Sequence, residues 1–375
     1  MSSAARLRLV EPLEIGTAFA RCLSGGPPIA PLPAAVGERH QALAMLQPAI
    51  PLAEPGAAVV VSTSGSTGRP KGVVLSRSAI QASASATHAR LGGPGDWVLA
   101  LPGHYVAGLM VWARALLAGT AVVPARSDLA DLAAAANQLG HRRYLSIVPT
   151  QLARALADPE ITAALTSFTA VLVGGGALEV DLHERARRSG VAVVATYGMS
   201  ETCGGCVYDG RPLDGVEVQL DLHDRVSLAG PTLFSGYRLR PDLTAEMLVG
   251  GRLRTQDRAR WEADRLRVLG RIDDVVVSGG LNVDLAEVER QARWWPELGG
   301  AELSVLGIPD PKWGTKVVAA TESGADLAGL RRFLSRTLPG YAAPRELVHL
   351  ASLPRTSSGK IDRPALRQLF EKGLP

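Results

Sequence analysis

Residues 57 to 72 read AAVVVSTSGSTGRPKG: the apolar run Ala57 to Val61 opens into a loop of small and hydroxyl residues, Thr63, Ser64, Gly65, Ser66 and Thr67, which closes on Gly68, Lys71 and Gly72. An apolar run bounded by glycine and hydroxyl residues predicts a buried strand that empties into a turn. Backbone N–H groups and hydroxyls in such a turn can surround a polyphosphate, with Lys71 as a mobile counter-charge. The spacing departs from the Walker loop, in which Lys follows the second Gly directly. Here Gly68 is followed by Arg69, Pro70, Lys71 and Gly72, so an ordinary P-loop kinase or ATPase is disfavoured. A flexible Ser/Gly linker is opposed by the strand-like apolar residues on both sides.

Outward from this loop, apolar runs at 97–101, 120–123, 144–148, 169–173 and 191–196 alternate with Ala/Leu/Arg-rich stretches of helical periodicity, such as 127–140 and 180–189. With 57–61 they predict a doubly wound α/β layer, whose ligands bind at the carboxyl ends of the strands. Residues 1–55 are proline-rich and weakly periodic. After about residue 205 short runs separated by turns predict antiparallel β structure, and from Gly270-Arg271-Ile272-Asp273-Asp274 onward an α+β pattern predicts a second, small domain. The expected organisation is a large N-terminal α/β domain, 1–272, with an antiparallel β subdomain, followed by a C-terminal α+β domain, 273–375.

The chain has 375 residues, 46% hydrophobic and 20% charged, which describes a globular protein able to bury large cores. No apolar run approaches a membrane span, and the N-terminus leads into charged, proline-broken sequence instead of a signal core, so a cytoplasmic location is expected. A net charge of +4, scattered arginines and 5% aromatics give no reason to expect nucleic acid as a partner. Cys22, Cys203 and Cys206 cannot build a disulfide framework, and Cys203-Gly204-Gly205-Cys206 lacks the second ligand pair of a closed zinc site. A homo-oligomer is left open.

At the end of the run 191–196 stands Thr196-Tyr197-Gly198-Met199-Ser200-Glu201-Thr202. Tyr197 can offer a ring to a purine, Ser200 a hydroxyl to a phosphate, and Glu201 a hard oxygen to Mg²⁺. Gly174-Gly175-Gly176 follows the run 169–173, and glycine permits close backbone approach by a planar ligand. Further on lie Thr255-Gln256-Asp257, Gly270 to Asp274, Ser278-Gly279-Gly280-Leu281-Asn282 and, near the C-terminus, Pro354-Arg355-Thr356-Ser357-Ser358-Gly359-Lys360-Ile361-Asp362-Arg363.

These segments, in this order across residues 55–375, resemble the adenylate-forming superfamily of acyl-CoA synthetases, luciferases and adenylation domains. The resemblance implies ATP as co-substrate, held by Thr63 to Gly68, Lys71, Gly175, Gly176, Tyr197, Asp257 at the ribose and Arg271. It implies Glu201 as a Mg²⁺ ligand, with Ser200 beside it, and Lys360 as the catalytic cation. It also implies that the small domain is mobile, with Asp273 as pivot and Gly279-Gly280 lining the channel for CoA. Gln256 stands where the family commonly has Gly, and the Trp common before that element is absent.

Gly174, Cys203 and Gly204 would border the acyl pocket, small enough for an aromatic ring. His104 and Tyr105 fall where the family gates carboxylate access, with ordinary packing the alternative. The phosphate loop starts near residue 62, where typical members carry a much longer preceding segment. With Ile147 to Leu152 and the run TYGMSETCGGCVYDG, 196–210, this resembles the short form of the 2-succinylbenzoate:CoA ligase family of menaquinone biosynthesis. The substrates implied are ATP, CoA and 2-succinylbenzoate. An arginine or ordered polar group should meet the carboxylate that is not activated. Competing readings are an acyl-CoA ligase for another aromatic or medium-chain acid, an adenylation domain that loads a carrier protein, and a nucleotide-binding regulator without catalysis.

Overall fold

The computed structural model describes residues 6–63, 70–356 and 361–371. The apolar run of the opening segment is the strand Ala57–Thr63, and the chain returns as the antiparallel strand Lys71–Ser76, with Thr63 opposite Lys71 and Ser62 opposite Gly72. The glycine-rich loop therefore joins two antiparallel strands, whereas a Walker loop runs from a strand into a helix. Residues 64–69, which include Ser64, Gly65, Ser66, Thr67 and Gly68, lie outside the described residues.

This hairpin belongs to a five-stranded sheet ordered Arg8–Val10, Ile29–Pro31, Ala57–Thr63, Lys71–Ser76 and Gly236–Tyr237. The sequence reading placed 57–61 in the same layer as the later runs. The structure corrects this, because its neighbours come from the N-terminal segment and from the distant Gly236–Tyr237. Residues 1–55 are also more ordered than their weak periodicity suggests: they contribute two strands and the helices Ile15–Leu23 and Val36–Leu46.

The remaining runs form a seven-stranded sheet ordered Arg211–Pro212, Gly204–Tyr208, Val193–Met199, Ala170–Val173, Arg143–Ile147, Asp96–Leu99 and Val122–Pro124. From Val193–Met199 to Val122–Pro124 every pairing is parallel. Side chains alternate between the faces of a strand. Val98, Leu145, Ile147, Val171 and Val173 enter one apolar core, while Trp97, Tyr144, Ala170 and Leu172 enter the other. Burial on both faces is why these strands read as unbroken apolar runs.

Of the expected helix 127–140 only Leu132–Ala136 forms. Leu129 takes a left-handed backbone at φ 64°, and the Asp128 and Asp131 carboxylates accept the N–H groups of Ala130 and Arg126. Aspartates that bond nearby backbone favour turns over helix, so the apolar period survives and the helix does not. The expected helix 180–189 is present as Val180–Arg188.

The chain divides into two compact units, one of Met1–Gln219, Ser227–Arg254 and Glu262–Leu266, the other of Leu220–Val226, Thr255–Trp261 and Arg267–Pro375. The second unit carries an α+β core. Its strands Leu281–Asp284, Val275–Ser278, Gly314–Thr321 and Leu303–Asp310 are antiparallel neighbours, with Glu346–His349 parallel to Gly314–Thr321. Val305, Val317 and Ala319 pack with Val288 and Leu330, whereas Leu306, Ile308, Val318 and Ala320 pack with Leu366. Among the described residues no helix is long and apolar enough to cross a membrane.

Leu145→Ala, at a fully buried position of the parallel sheet, should lower stability by about 2–5 kcal/mol in a denaturant titration. Leu13→Ala, at a side chain fully exposed to solvent, should change it by less than about 0.5 kcal/mol.

Candidate active site

The strand Val193–Met199 ends the parallel series, and the chain turns back as Gly204–Tyr208 through the single 3-10 turn Ser200–Thr202. Cys203 completes the reversal in the left-handed region, at φ 53°. The Thr202 hydroxyl accepts the Met199 N–H at 3.0 Å and donates to the Gly204 carbonyl at 2.7 Å. A Cβ on Gly198 would stand 2.0 Å from that carbonyl oxygen, so the hairpin closes only with glycine there. Tyr197, Ser200 and Glu201 are thus displayed from a rigid strand end, at the carboxyl edge of the sheet.

Glu201 Oε1 accepts the Tyr237 phenol hydroxyl at 2.8 Å. Tyr237 is 3% exposed. Burial, reinforced by the Glu201 carboxylate, pushes its hydroxyl well above the ordinary phenol range. The Lys71 ammonium lies 5.6 Å from the Tyr237 ring centroid. The structure thereby brings together Lys71 and Glu201, both singled out by the sequence, through Tyr237, which was not. Its only sequence signal is the pair Gly236-Tyr237 in a turn-rich segment.

Among the described residues no group of three or more His, Cys, Asp or Glu is placed to hold a metal. Mg²⁺ is commonly bound through one or two carboxylates, with substrate phosphates and water as its other ligands. Glu201 fits this role, because its hydroxyl partner engages one oxygen and leaves the second for a cation.

Gly174, Gly175 and Gly176 follow the strand Ala170–Val173. A Cβ on Gly174 would meet the Thr196 side-chain Oγ1 at 2.1 Å and its carbonyl oxygen at 3.0 Å, while Gly175 sits in the left-handed region at φ 77°. His104 is buried, and its ring lies tilted at 46° to that of Tyr105 with 4.2 Å between centroids; Tyr105 precedes the helix Val106–Ala118. Burial lowers the His104 pKa, and its Nε2 has no hydrogen-bond partner. Met110 of that helix comes within 3.6 Å of where a Gly204 Cβ would stand. Cys203 and Cys206 are buried, and burial pushes the Cys203 thiol far up.

One turn beyond Met110, Arg114 is 3% exposed. Its guanidinium lies 4.9 Å from the Trp97 ring centroid, its Nε has no hydrogen-bond partner, and burial lowers its pKa. The buried Trp97 Nε1 and His88 Nε2 are unpartnered as well, and among the described residues no carboxylate forms an ion pair with Arg114. The sequence carried this signal as a lone cation in an otherwise apolar helix, VAGLMVWARALLA.

In the second unit the Thr255 hydroxyl donates to the Val226 carbonyl at 2.8 Å and accepts the Asp257 N–H at 3.0 Å. Arg271 meets Asp257 at 3.5 Å and grips both oxygens of Asp273 at 2.8 Å. Three of the expected residues, Asp257, Arg271 and Asp273, therefore form one charged chain. Gly279 and Gly280, at φ 60° and 82°, are the two-residue tip of the hairpin from Val275–Ser278 to Leu281–Asp284. A left-handed backbone at both positions is what a type I′ turn demands. Lys360 lies outside the described residues. On either side of it Arg355 bridges Ile361, and Arg363 forks to Asp274 at 3.0 Å and Glu289 at 2.9 Å.

Comparison with known proteins places this geometry in a family. The sequence model described as AMP-binding enzyme matches residues 22–239, and that of the AMP-binding enzyme C-terminal domain matches residues 299–360. A Mycobacterium tuberculosis protein named probable 2-succinylbenzoate–CoA ligase is 44% identical over 328 residues, 84% of each chain. A Bacillus cereus protein named 2-succinylbenzoate–CoA ligase is 30% identical over 342 residues, 84% of this chain and 71% of that one. Among solved structures, o-succinylbenzoate-CoA synthetase from Bacillus subtilis in complex with the acyl-adenylate intermediate aligns with a TM-score of 0.75 at 25% identity, covering 96% of this chain and 83% of the other.

Gly198→Ala should lower the thermal midpoint by several degrees, since the added methyl meets a carbonyl oxygen at 2.0 Å and overpacking costs about 1–3 kcal/mol. Gly176→Ala, whose Cβ would meet Pro149 at 3.8 Å, should leave the midpoint within about 2 °C.

Proposed function

The chain belongs to the AMP-binding, adenylate-forming enzyme family, and from that premise we propose that it is the ATP-dependent ligase that converts 2-succinylbenzoate and CoA to 2-succinylbenzoyl-CoA, a step of menaquinone biosynthesis. In the first half-reaction a carboxylate oxygen of the acid attacks the α-phosphorus of ATP. The bond to the β-phosphate bridge breaks, and pyrophosphate leaves. In the second, the CoA sulfur attacks the acyl carbon of the adenylate, and AMP departs.

The residues divide this work by their chemistry. Thr63 to Gly68 with Lys71 hold the phosphates, Tyr197 and the 174–176 turn take the adenine, and Asp257 with Arg271 takes the ribose. Ser200 and Glu201 face the phosphates, where Mg²⁺, when bound, neutralises the charge that builds on them. Lys360 is the mobile cation between the attacking carboxylate and the α-phosphate, and it stabilises the transition state more than the ground state. Residues 273–375 then turn about Asp273, which withdraws Lys360 and brings the Gly279-Gly280 tip toward the thiol. Such alternation keeps water from the mixed anhydride. ATP and CoA are supplied by the cytoplasm, where we place the reaction.

The observation that carries the choice of a dicarboxylate is Arg114. A buried guanidinium without a carboxylate partner is costly unless a ligand supplies the charge. Arg114 shares a helix face with Met110, which packs at Gly204. It is the cation for the substrate carboxylate that is not activated, and His104 with Tyr105 stands at the head of the same helix.

Mass-spectrometric product analysis with ATP, Mg²⁺ and a panel of acids tests the reading. Succinylbenzoyl-CoA should form only with CoA present and faster than any other thioester; faster turnover of a benzoate or fatty acid would replace the substrate. Lys360→Ala should lower acyl-adenylate formation by about 100-fold or more while ATP still binds. Arg114→Met should lower kcat/KM for 2-succinylbenzoate by about 100-fold and leave turnover of benzoate unchanged. Its stability should hold or rise, since an unpaired buried charge is removed.

A further inference from the structure

The segment Phe234 to Arg238 touches both halves of the phosphate site. The Phe234 N–H donates to the Glu201 carbonyl at 2.8 Å, and the Tyr237 hydroxyl donates to the Glu201 carboxylate at 2.8 Å. The same short stretch pairs with the strand that begins at Lys71, with Tyr237 opposite Val73 and the Arg238 N–H donating to the Gly72 carbonyl at 2.7 Å. Arg238, 3% exposed, then fans its guanidinium onto the carbonyls of Leu46, Gln47, Ile50 and Pro51. The Tyr237 ring is fixed edge-on against Phe234 at 4.8 Å between centroids.

From this geometry we infer that Tyr237 is a positioning residue for Glu201: it occupies one carboxylate oxygen, presents the other to Mg²⁺, and sets that oxygen in register with Lys71. The inference rests on the ligase reading above and adds a residue to it. Glu201 stands on a single 3-10 turn, and its flexible side chain would otherwise sample several directions. Tyr237 is stiff, buried and held by a strand pairing on one side and by Arg238 on the other. A hydrogen bond to an ionised group is among the stronger kinds available in a protein. The Lys71 ammonium rests over the face of the same ring, so one side chain sets the spacing between the metal ligand and the phosphate cation.

The test is calorimetric titration of ATP into the full-length chain, with Mg²⁺ and with EDTA, for wild type, Tyr237→Phe, Glu201→Gln and the double variant. No acid substrate is needed. Tyr237→Phe keeps the ring and removes only the hydroxyl. It should weaken MgATP binding by about tenfold, leave binding of metal-free ATP unchanged, and raise the Mg²⁺ concentration for half-maximal binding. In the Glu201→Gln background the same change should add little, because the two residues act as one unit. Equal weakening with and without Mg²⁺, or an undiminished effect in the Glu201→Gln background, would overturn the inference. Should Tyr237→Phe unfold, Glu201→Gln alone decides: a retained preference for MgATP over ATP would sink it. A wild-type chain that binds no ATP overturns the ligase reading itself, whereas binding without turnover of 2-succinylbenzoate replaces only the acid.

Discussion

Burial of both faces of the parallel sheet is the constraint from which the rest of the structure follows. With Trp97, Tyr144 and Leu172 in one core and Val98, Leu145 and Val171 in the other, no face of these strands is left for polar chemistry. Polar side chains are pushed to the strand ends, where the backbone stops pairing and loops begin. The strand Val193–Met199 then gains an antiparallel neighbour in Gly204–Tyr208. The turn between them is tight enough to demand glycine at 198. Tyr197, Ser200 and Glu201 owe their fixed placement to that turn.

Arginine takes a second structural role here, holding irregular backbone in place. Arg77 donates to the carbonyls of Cys22 and Gly26, Arg90 to those of Arg211 and Pro212, Arg238 to four carbonyls from Leu46 to Pro51, and Arg331 to those of Ala343 and Pro344. A guanidinium offers five donors in a planar fork, so one side chain can satisfy several carbonyls that no strand or helix pairs. The loops of the N-terminal segment are tied to the sheets in this way through Arg77 and Arg238. These links join residues distant in sequence, and nothing in the local pattern announces them.

That distinction explains how much was legible beforehand. The alternating strands were readable because double burial leaves a long apolar run, and the helix Val180–Arg188 because its face is periodic. The segments bearing Lys71, Glu201, Asp257 and Arg271 stood out by residue type, and the structure pairs Asp257 with Arg271 and links Lys71 to Glu201 through Tyr237. The helix over 127–140 was overcalled because apolar spacing does not register the Asp128 and Asp131 turn. The sheet that holds Ala57–Thr63 was misassigned because its partners are remote. Tyr237 was missed for the same reason: it matters through Glu201, which lies far away in the chain.

Arg114 shows where stability and chemistry pull apart. The four arginines that bind carbonyls find partners within the chain itself, whereas Arg114 lies among apolar side chains with the Trp97 ring as its named partner and an unpartnered Nε. A cation–π contact offsets only part of the cost of removing a guanidinium from water. Under the proposed reading, an anionic group that reaches Arg114 meets a cation already stripped of water. The attraction is strong because the surroundings are of low polarity, and it requires no reorganisation when the ligand arrives. Burial and the neighbouring Arg114 both lower the His88 pKa, which disfavours a second positive charge beside the guanidinium. Under the proposed ligase reading the two tasks are separate, with fixed charge at Arg114 for one end of the acid and the groups around Glu201 and Lys71 for the other.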